Sequence, residues 1–450
     1  MNSPSSCLTA PNAVELPRKL GLLDSTSVVV GTMIGAGIFI VPRSIAGELA
    51  SVGMILAVWI ITGVISFFGA LAYAELGAMM PHSGGQYVYI RESFGRLPAF
   101  ICGWTYFLVI QSGAIATVSV GFSIYLSYLF PLIPAASTWA PLTLIAILSL
   151  INYRGVKAGA WVQLTFTCLK VSGLMLLIGS AFLSKAPGAF EWSSSPSTPP
   201  LHHLGLAMLG CFVAYDGWHV IAFIAGEVRN PERTLPLSLG LGVAIVILVY
   251  LLANVAYMKV LSLEQIASSG TVAATAAART MGSIGATIVT LTIVLSSIGA
   301  ANGSIMTGPR IYFAQARDGL LFQKLAEIHP RFETPSFSIL VQGVWTALLT
   351  LSGSYETLFS YVLFAAWIFH AMAVLGVLIL RREYPNLRRP YKMWGYPVAP
   401  WLFIAFALWF VLNTLITRPG PSLVGSLIMA SGVPVYFIWR RAVERHHQQP

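Results

Sequence analysis

The chain has 450 residues, of which 56% are hydrophobic and only 9% are charged, and its mean hydropathy is +0.76. Soluble domains have about a quarter of their residues charged, so this composition excludes a soluble globular protein and indicates an integral membrane protein. The size of the net charge, +10, would be compatible with nucleic-acid binding. The positions of the basic residues along the chain favour a different explanation, which is given below.

Apolar stretches recur along nearly the whole chain, and most reach the length of about 20 residues that a helix needs to cross a bilayer. They do not have the alternating ten-residue pattern of an outer-membrane barrel. We therefore predict an all-α integral membrane protein with twelve transmembrane helices. In chain order these helices are expected at 24–47, 52–80, 95–129, 138–153, 159–184, 203–226, 235–260, 284–315, 335–352, 357–381, 396–416 and 420–439.

The remaining sequence leaves no room for a soluble domain. Residues 1–20 are polar and Pro-rich and lack the apolar core of a signal peptide, so they are expected to form a short cytoplasmic tail. A single transporter domain is predicted for 21–441, followed by a cytoplasmic tail at 442–450. The longest polar interval, 185–202, is a Ser/Pro-rich loop.

The basic residues are distributed unevenly between the loops. With the N-terminus inside, most of the 26 lysines and arginines fall on the cytoplasmic side. This is the positive-inside pattern of membrane proteins, and it places both termini in the cytoplasm. It also removes the reason to expect a nucleic-acid partner. The exceptions are Lys185, Lys259, Arg279 and Arg418 outside, and Arg43 and Lys170 within segments.

The first and the sixth segments contain interruptions, "GTMIGAGIF" at 31–39 and "AYDGW" at 214–218. Transporters made of two inverted five-helix repeats bind substrate near the bilayer midplane, where broken helices free their backbone groups. The spacing of five segments therefore predicts a first repeat at 24–184, a second at 203–381 and two extra helices at 396–439.

The glycines of the first interruption have two explanations. Gly31 and Gly35 form a G-x-x-x-G pair, which often marks close packing of membrane helices. The additional Gly37 favours a break instead. In a broken helix, free N–H groups at Gly35, Ala36 and Gly37 and the positive end of the helix dipole form a site for a carboxylate.

Two ionisable residues lie deep within segments. Asp216 either caps part of a broken helix or belongs to a site in which the carbonyls of Val213, Ala214 and Asp216 accept hydrogen bonds from an ammonium group. Lys170 lies beyond snorkelling reach of either end of its segment. Three roles are open for this lysine. It is a fixed cation that replaces a bound metal ion, or it is a titrating proton carrier, or it is a structural partner of a carboxylate or of carbonyls at a helix break.

Other polar groups have structural interpretations. His219 is interpreted as structural, and the cysteines within segments, Cys102, Cys168 and Cys211, as small core residues. No His, Cys or carboxylate cluster has the spacing of a metal site, and there is no phosphate-binding loop. We therefore expect no enzyme activity, no cofactor and no metal. Four further groups are interpreted as packing residues: Asn254, Tyr257, Trp367 and His370.

Several blocks together resemble the amino acid-polyamine-organocation superfamily, and within it the L-type amino acid transporter family and its bacterial exchangers. The resemblance covers about residues 20–415. Besides the two interruptions, its blocks are "YAELGAMMPHSGGQYVYIRESFG" (73–95), "GEVRNPERTLP" (226–236), "LLANVAYMKVLS" (251–262), "GAANGSIMTGPRIYFAQARDG" (299–319) and "LRRPYKMWGYPVAP" (387–400).

The resemblance implies twelve helices in a 5+5 inverted repeat plus two, working by alternating access. It implies that the substrate carboxylate binds the N–H groups of Gly35, Ala36 and Gly37. The ammonium of Lys170, in "FTCLKVSG" (166–173), would stand where sodium-coupled relatives hold sodium, between the first and eighth helices. It further implies that the substrate amino group binds the backbone carbonyls of Met33, Val213, Ala214 and Asp216. The gating or pocket positions that it implies are Phe212, Trp218, Tyr257, Asn302 and Trp367.

Three departures from the family pattern limit this assignment. Val213 stands where an aromatic lid is frequent, with Phe212 displaced by one position. His219 stands where an amide or aliphatic residue is more usual. The loop 130–140 has no cysteine, whereas animal relatives use one there to link a glycoprotein subunit. We therefore expect no disulfide-linked subunit, and a monomer or homodimer.

These observations predict a sodium-independent exchanger of neutral L-amino acids in a bacterial cytoplasmic membrane. Neutral substrates are favoured because Asp216 is the only acidic side chain placed near the interruptions. The first alternative is a proton-coupled symporter with Lys170 as the proton carrier. The second is an amino acid sensor that keeps the fold without transport.

Overall fold

The computed structural model describes the backbone of residues 15–130, 136–185, 201–352 and 355–447, and their side chains except at 136–138, 201–202, 355–363 and 442–447. The regular structure of these residues is helical, with one isolated parallel bridge between Leu20 and Val228. The predicted all-α class is confirmed.

The described residues of the first half of the chain form eight α-helices. A π-helical turn, Tyr106–Ile110, joins the fifth and sixth of them. The helices are α1 Leu22–Met33, α2 Gly37–Glu48, α3 Val52–Met79, α4 Gln86–Phe94, α5 Arg96–Thr105, α6 Gln111–Leu129, α7 Ala136–Tyr153 and α8 Val156–Leu183.

In the part of the second half that the structure describes there are nine α-helices and two 3₁₀ segments, Trp218–Glu227 and Gln323–Ala326. The helices are α9 Leu201–Tyr215, α10 Pro231–Val260, α11 Leu263–Ser268, α12 Val272–Thr307, α13 Pro309–Arg317, α14 Ser336–Leu351, α15 Tyr355–Glu383, α16 Val398–Thr417 and α17 Pro419–His447.

Ten stretches of the described chain are long and apolar enough to cross a membrane, and two shorter apolar helices are Trp139–Tyr153 and Ser336–Leu351. Together they occupy the twelve predicted segments. That all twelve cross the bilayer stays a prediction. The loop 130–140, on which the expectation about a linked subunit rests, lies partly outside the described residues.

The structure differs from the sequence predictions in several places. α12 begins at Val272, well before the predicted start at 284, and its helical backbone is interrupted at Gly282, where φ is 70°. α17 continues to His447, past the predicted domain end at 441. Cys168 is exposed on α8 rather than buried in the core. Its neighbour Leu169 is also exposed, so this face of α8 is the apolar surface that a bilayer would cover.

The chain before α1 is not a free tail over residues 15–20. The N–H groups of Lys19 and Leu20 donate to the Glu227 carbonyl at 2.8 and 2.9 Å, and the Arg229 N–H donates to the Leu20 carbonyl at 2.8 Å. Leu16 is also buried. This segment is therefore bound to the end of the sixth predicted span, while residues 1–14 lie outside the described part.

The helices pack in a pattern that is expected for two related five-helix units. α1 packs on α10, and α9, which starts the second unit, packs on α3 in the corresponding way. Likewise α6 packs on α15 and α12 packs on α8, while α3 and α10 pack on each other. Each of these contacts thus has a counterpart in which the two predicted repeats are exchanged, and the repeats themselves stay a prediction.

Loops predicted to share one side of the membrane contact one another. Lys259 Nζ, predicted outside, donates to the Phe182 carbonyl at 2.5 Å at the same end of the bundle. Which end faces the cytoplasm stays a prediction. At the other end the ion pairs are Lys19 with Glu333, Arg91 with Asp318 at 2.5 Å, and Arg388 with Glu232 at 2.9 Å.

Candidate functional site

Two non-helical segments meet in the middle of the helix bundle. The first, residues 34–36, separates α1 from α2, and the second lies at Asp216 and Gly217, between α9 and the 3₁₀ segment. Gly217 has a φ of 110°, and a Cβ there would approach the Thr32 carbonyl carbon to 3.0 Å. The Thr32 hydroxyl donates to the Gly217 carbonyl at 3.0 Å, so the two breaks are directly joined.

The three glycines of the first interruption have different surroundings. A Cβ on Gly31 would lie 2.2 Å from side-chain atoms of Gln163 and Thr167, so Gly31 allows close packing on α8. A Cβ on Gly37 would lie 3.0 Å from Ala214 Cα at the second break, whereas one on Gly35 would have no described atom within 4 Å. Close packing therefore explains Gly31 and Gly37, and Gly35 borders open space.

The N–H groups predicted to bind a carboxylate are not equivalent. The Gly35 N–H donates to the Met33 carbonyl at 2.8 Å. Ala36 is the N-cap and Gly37 the first residue of α2, where the helix itself provides no acceptor for the N–H groups. Gly35, Ala36 and Gly37 are all half-buried. The geometry thus leaves two donors and the positive end of the α2 dipole for an anionic group.

A tyrosine bridges two of the carbonyls that were assigned to the substrate amino group. The Tyr250 hydroxyl lies 2.8 Å from the Met33 carbonyl and 3.0 Å from the Ala214 carbonyl. Sequence reasoning missed Tyr250, although it lies one and two turns before Asn254 and Tyr257 on the same face of α10. Val213 and Asp216, the other two assigned residues, are half-buried.

Lys170 is buried on α8 with its ammonium at the first break. Its Nζ lies 2.8 Å from the Gly31 carbonyl, 2.8 Å from the Ile34 carbonyl and 3.0 Å from the Ser296 carbonyl. The Ser296 hydroxyl, also missed from the sequence, donates to the Ile34 carbonyl at 2.8 Å. An ammonium has three N–H donors, so all of them are used to join α8, the break after α1 and α12.

Capping of a helix by the Asp216 side chain is not seen: Gly217 is the N-cap of the following 3₁₀ segment, and no side-chain capping hydrogen bond is formed there. Its Oδ1 instead lies 3.5 Å from His219 Nδ1 and 3.8 Å from His370 Nε2. The sequence spacing gave no sign of this cluster because His370 comes from α15.

The remaining predicted pocket residues are mostly engaged elsewhere. The Tyr257 hydroxyl is 3.4 Å from the Ile38 carbonyl, at the start of α2. The Asn302 amide donates to Gly159 and Gln163 and accepts from Asn152. These bonds join α12 to α7 and α8, so Asn302 holds helices together at this position.

The predicted aromatic residues form two groups. Trp218 is buried against Tyr73, with ring centroids 5.0 Å apart, and beside His370 at 5.5 Å. Phe212 and Trp367 pack edge-to-face with ring centroids 4.6 Å apart, and they also contact Phe406 and Phe410 of α16. In this conformation Phe212 is therefore directed towards the extra helices and not over the breaks.

A family model described as "Amino acid permease" matches residues 20–439. The chain belongs to this family. It is 35% identical to the cystine/glutamate transporter of Homo sapiens, covering 95% of this chain and 86% of that protein. It is 35% identical to the large neutral amino acids transporter small subunit 2 of Mus musculus (94% and 81%), and 33% identical to the b(0,+)-type amino acid transporter 1 of Rattus norvegicus (96% and 90%).

The expected membership of the amino acid-polyamine-organocation superfamily and its L-type branch is confirmed by these matches. The permease is a multi-pass membrane protein of a transporter family and not an enzyme. The relatives differ in the amino acids that their names state, at nearly equal identity. Similarity alone therefore does not select a substrate for this permease.

Proposed function

We propose that this permease exchanges neutral L-amino acids across the membrane without sodium. The observation that carries the proposal is the pair of joined helix breaks, with free N–H donors at Ala36 and Gly37 on one side and the carbonyls of Val213 and Asp216 on the other. An amino acid zwitterion has a carboxylate and an ammonium separated by one carbon. A site with donors and acceptors this close together is complementary to it.

Independence from sodium is supported by the position of Lys170. A fixed ammonium bonded to the carbonyls of Gly31, Ile34 and Ser296 already neutralises oxygen atoms that would otherwise suit a monovalent cation. A second cation at the same oxygens would be repelled by this charge. No sodium gradient can then drive transport through this position. An exchanger needs no such gradient, so the position of Lys170 favours exchange.

The same contacts argue against Lys170 as a proton carrier. Loss of its proton would leave two N–H donors for these three buried carbonyls, so one carbonyl would lose its donor at a cost of about 1–3 kcal/mol. Proton-coupled symport stays the alternative, and an amino acid sensor without transport is the less favoured one.

Neutral substrates are supported by the charges beside the breaks. The three donors of Lys170 are engaged, so this residue has none left for an acidic substrate side chain. The Oδ1 atom of Asp216 lies beside two histidines, so it is a poor partner for a basic side chain. We further propose placement in a bacterial cytoplasmic membrane with both termini inside, and a monomer or homodimer without a disulfide-linked subunit.

The test is uptake of labelled leucine or serine into proteoliposomes that contain the purified permease. We expect rapid uptake only when unlabelled amino acid is enclosed, and the same rate in sodium and in choline buffer. Equal uptake into empty vesicles would contradict exchange. An inward proton gradient that drives accumulation in the wild type, and not in Lys170→Ala, would instead establish the symport alternative.

A further inference from the structure

Three potential metal ligands converge next to the second break. Asp216 Oδ1 lies 3.5 Å from His219 Nδ1 and 3.8 Å from His370 Nε2, and all three ligand atoms are within 4.8 Å of one another. They come from the turn after α9, the 3₁₀ segment and α15. The fold therefore brings His370 to Asp216 and His219, which are neighbours in sequence.

These three atoms are buried and make no hydrogen bond to any described residue. The side chains of His219 and His370 are 6% and 0% exposed, while Asp216 is 26% exposed. Buried polar atoms without partners cost about 1–3 kcal/mol each. Three such atoms within 4.8 Å of one another indicate a shared ligand, and the partial exposure of Asp216 provides a route for it.

The arrangement fits a divalent transition metal ion. Zinc binds imidazole nitrogen and carboxylate oxygen at about 2.0–2.2 Å, and a tetrahedral site with such bonds separates neighbouring ligand atoms by about 3.4 Å. The distances from Asp216 Oδ1 are 3.5 and 3.8 Å, close to this value, and no two of the three ligand atoms are more than 4.8 Å apart. Two imidazoles and one carboxylate leave the fourth position open for water or another ligand.

The surroundings of His370 are also suited to metal binding. Its other ring nitrogen, Nδ1, is 3.2 Å from the Tyr73 hydroxyl. Histidines that bind metals usually have their second nitrogen held by such a partner, which fixes the tautomer and the ring orientation. If Nδ1–H donates to the Tyr73 oxygen, the lone pair of Nε2 points towards Asp216.

We propose that Asp216, His219 and His370 form a site for Zn²⁺ or a similar divalent transition ion. A bound ion connects the second break to α15. Alternating access requires parts of the two repeats to move relative to each other around the site. Occupation by the ion therefore holds one conformation and slows transport, which gives the permease a metal-dependent brake.

The test uses the purified full-length protein, titrated with ZnCl₂ by calorimetry and with Co²⁺ by visible absorption. We expect one high-affinity ion per protein in the wild type. The Kd should rise by more than about 100-fold in His219→Asn and His370→Asn, and by about 10-fold in Tyr73→Phe, since even outer partners contribute 10- to 100-fold. His203→Asn, which removes the separate His203–Glu48 pair, should leave this ion bound as before.

Uptake measurements provide the second readout. Zn²⁺ should inhibit the wild type and His203→Asn, and should not inhibit His219→Asn, whose uptake without zinc serves as the folding control. If His370→Asn does not fold, His219→Asn decides the question. The proposal is overturned if the wild type binds no ion or if His219→Asn binds it equally well. Ion binding is measured directly, so a failure of the exchange hypothesis would not affect this result.

Discussion

The ammonium of Lys170 donates a hydrogen bond over 2.8 Å to the carbonyl of Ile34, the first residue after the end of α1. Ile34 is where the helix stops providing its own donors, because the next helix begins only at Gly37. In the low-dielectric interior an unpaired carbonyl is costly. A lysine from another helix thus stabilises the break on which the proposed substrate site depends.

The first prediction concerns this lysine. Lys170→Met keeps the length of the side chain but removes its three donors. We therefore expect the free energy of unfolding to fall by about 3–5 kcal/mol and exchange to be lost. Differential scanning fluorimetry and proteoliposome uptake measure the two effects. Lys259→Met, which removes a lysine–carbonyl bond near the bundle end, is the control and should retain transport. Normal exchange by Lys170→Met would contradict the assigned role.

The second prediction separates the glycines of the first break. Gly35→Ala places its methyl group in open space, so we expect unchanged stability but a raised KM as the proposed carboxylate site becomes smaller. Gly37→Ala must push Ala214 away and should lower kcat. Gly31→Ala collides with α8 and should cost about 1–3 kcal/mol of stability. Equal effects of all three variants on stability and KM would contradict these separate roles.

The third prediction concerns the hydroxyl that bridges the breaks. Tyr250→Phe keeps the ring packing on Trp59 but leaves the Met33 and Ala214 carbonyls without this donor, at a cost of about 1–2 kcal/mol. If a substrate ammonium uses these carbonyls, a saturating amino acid should raise the Tm more in the variant than in the wild type. An unchanged ligand-induced shift would exclude such competition.

Tyr215→Phe is a suitable control for that experiment. Tyr215 packs on Trp59 and on Tyr250 itself, but its hydroxyl has no hydrogen-bond partner among the described residues. Its removal should therefore leave both the Tm and the ligand-induced shift close to those of the wild type.

The fourth prediction concerns a buried ion pair at the end that is predicted to be cytoplasmic. Arg310 Nε lies 2.7 Å from Glu227 Oε1, and both side chains are 0% exposed. Arg310→Met leaves a buried carboxylate unpaired and should cost about 3–5 kcal/mol. Thermal unfolding of Arg310→Met, of Glu227→Gln and of the double variant gives the coupling energy. The double variant should be more stable than Arg310→Met.

Hydropathy and glycine patterns were sufficient for the main architecture. The twelve apolar segments coincide with the long and short apolar helices of the described chain, because each must satisfy its backbone hydrogen bonds within one continuous stretch. The two interruptions coincide with the non-helical residues 34–36 and with Asp216 and Gly217. Local sequence contains this information because a helix break depends on a few adjacent residues.

The side-chain partners at the breaks were decided only by the tertiary structure. Lys170 was identified by its depth in a segment, but its bonds to the Gly31, Ile34 and Ser296 carbonyls depend on how α1, α8 and α12 pack. Tyr250 is one of several tyrosines in apolar helices, and nothing in its local sequence indicates that its hydroxyl reaches both breaks. The local sequence pattern determines which residues form helices. His370 reaches Asp216 and His219 only through the packing of helices that are distant in sequence, and the spacing of residues along the chain does not predict this packing.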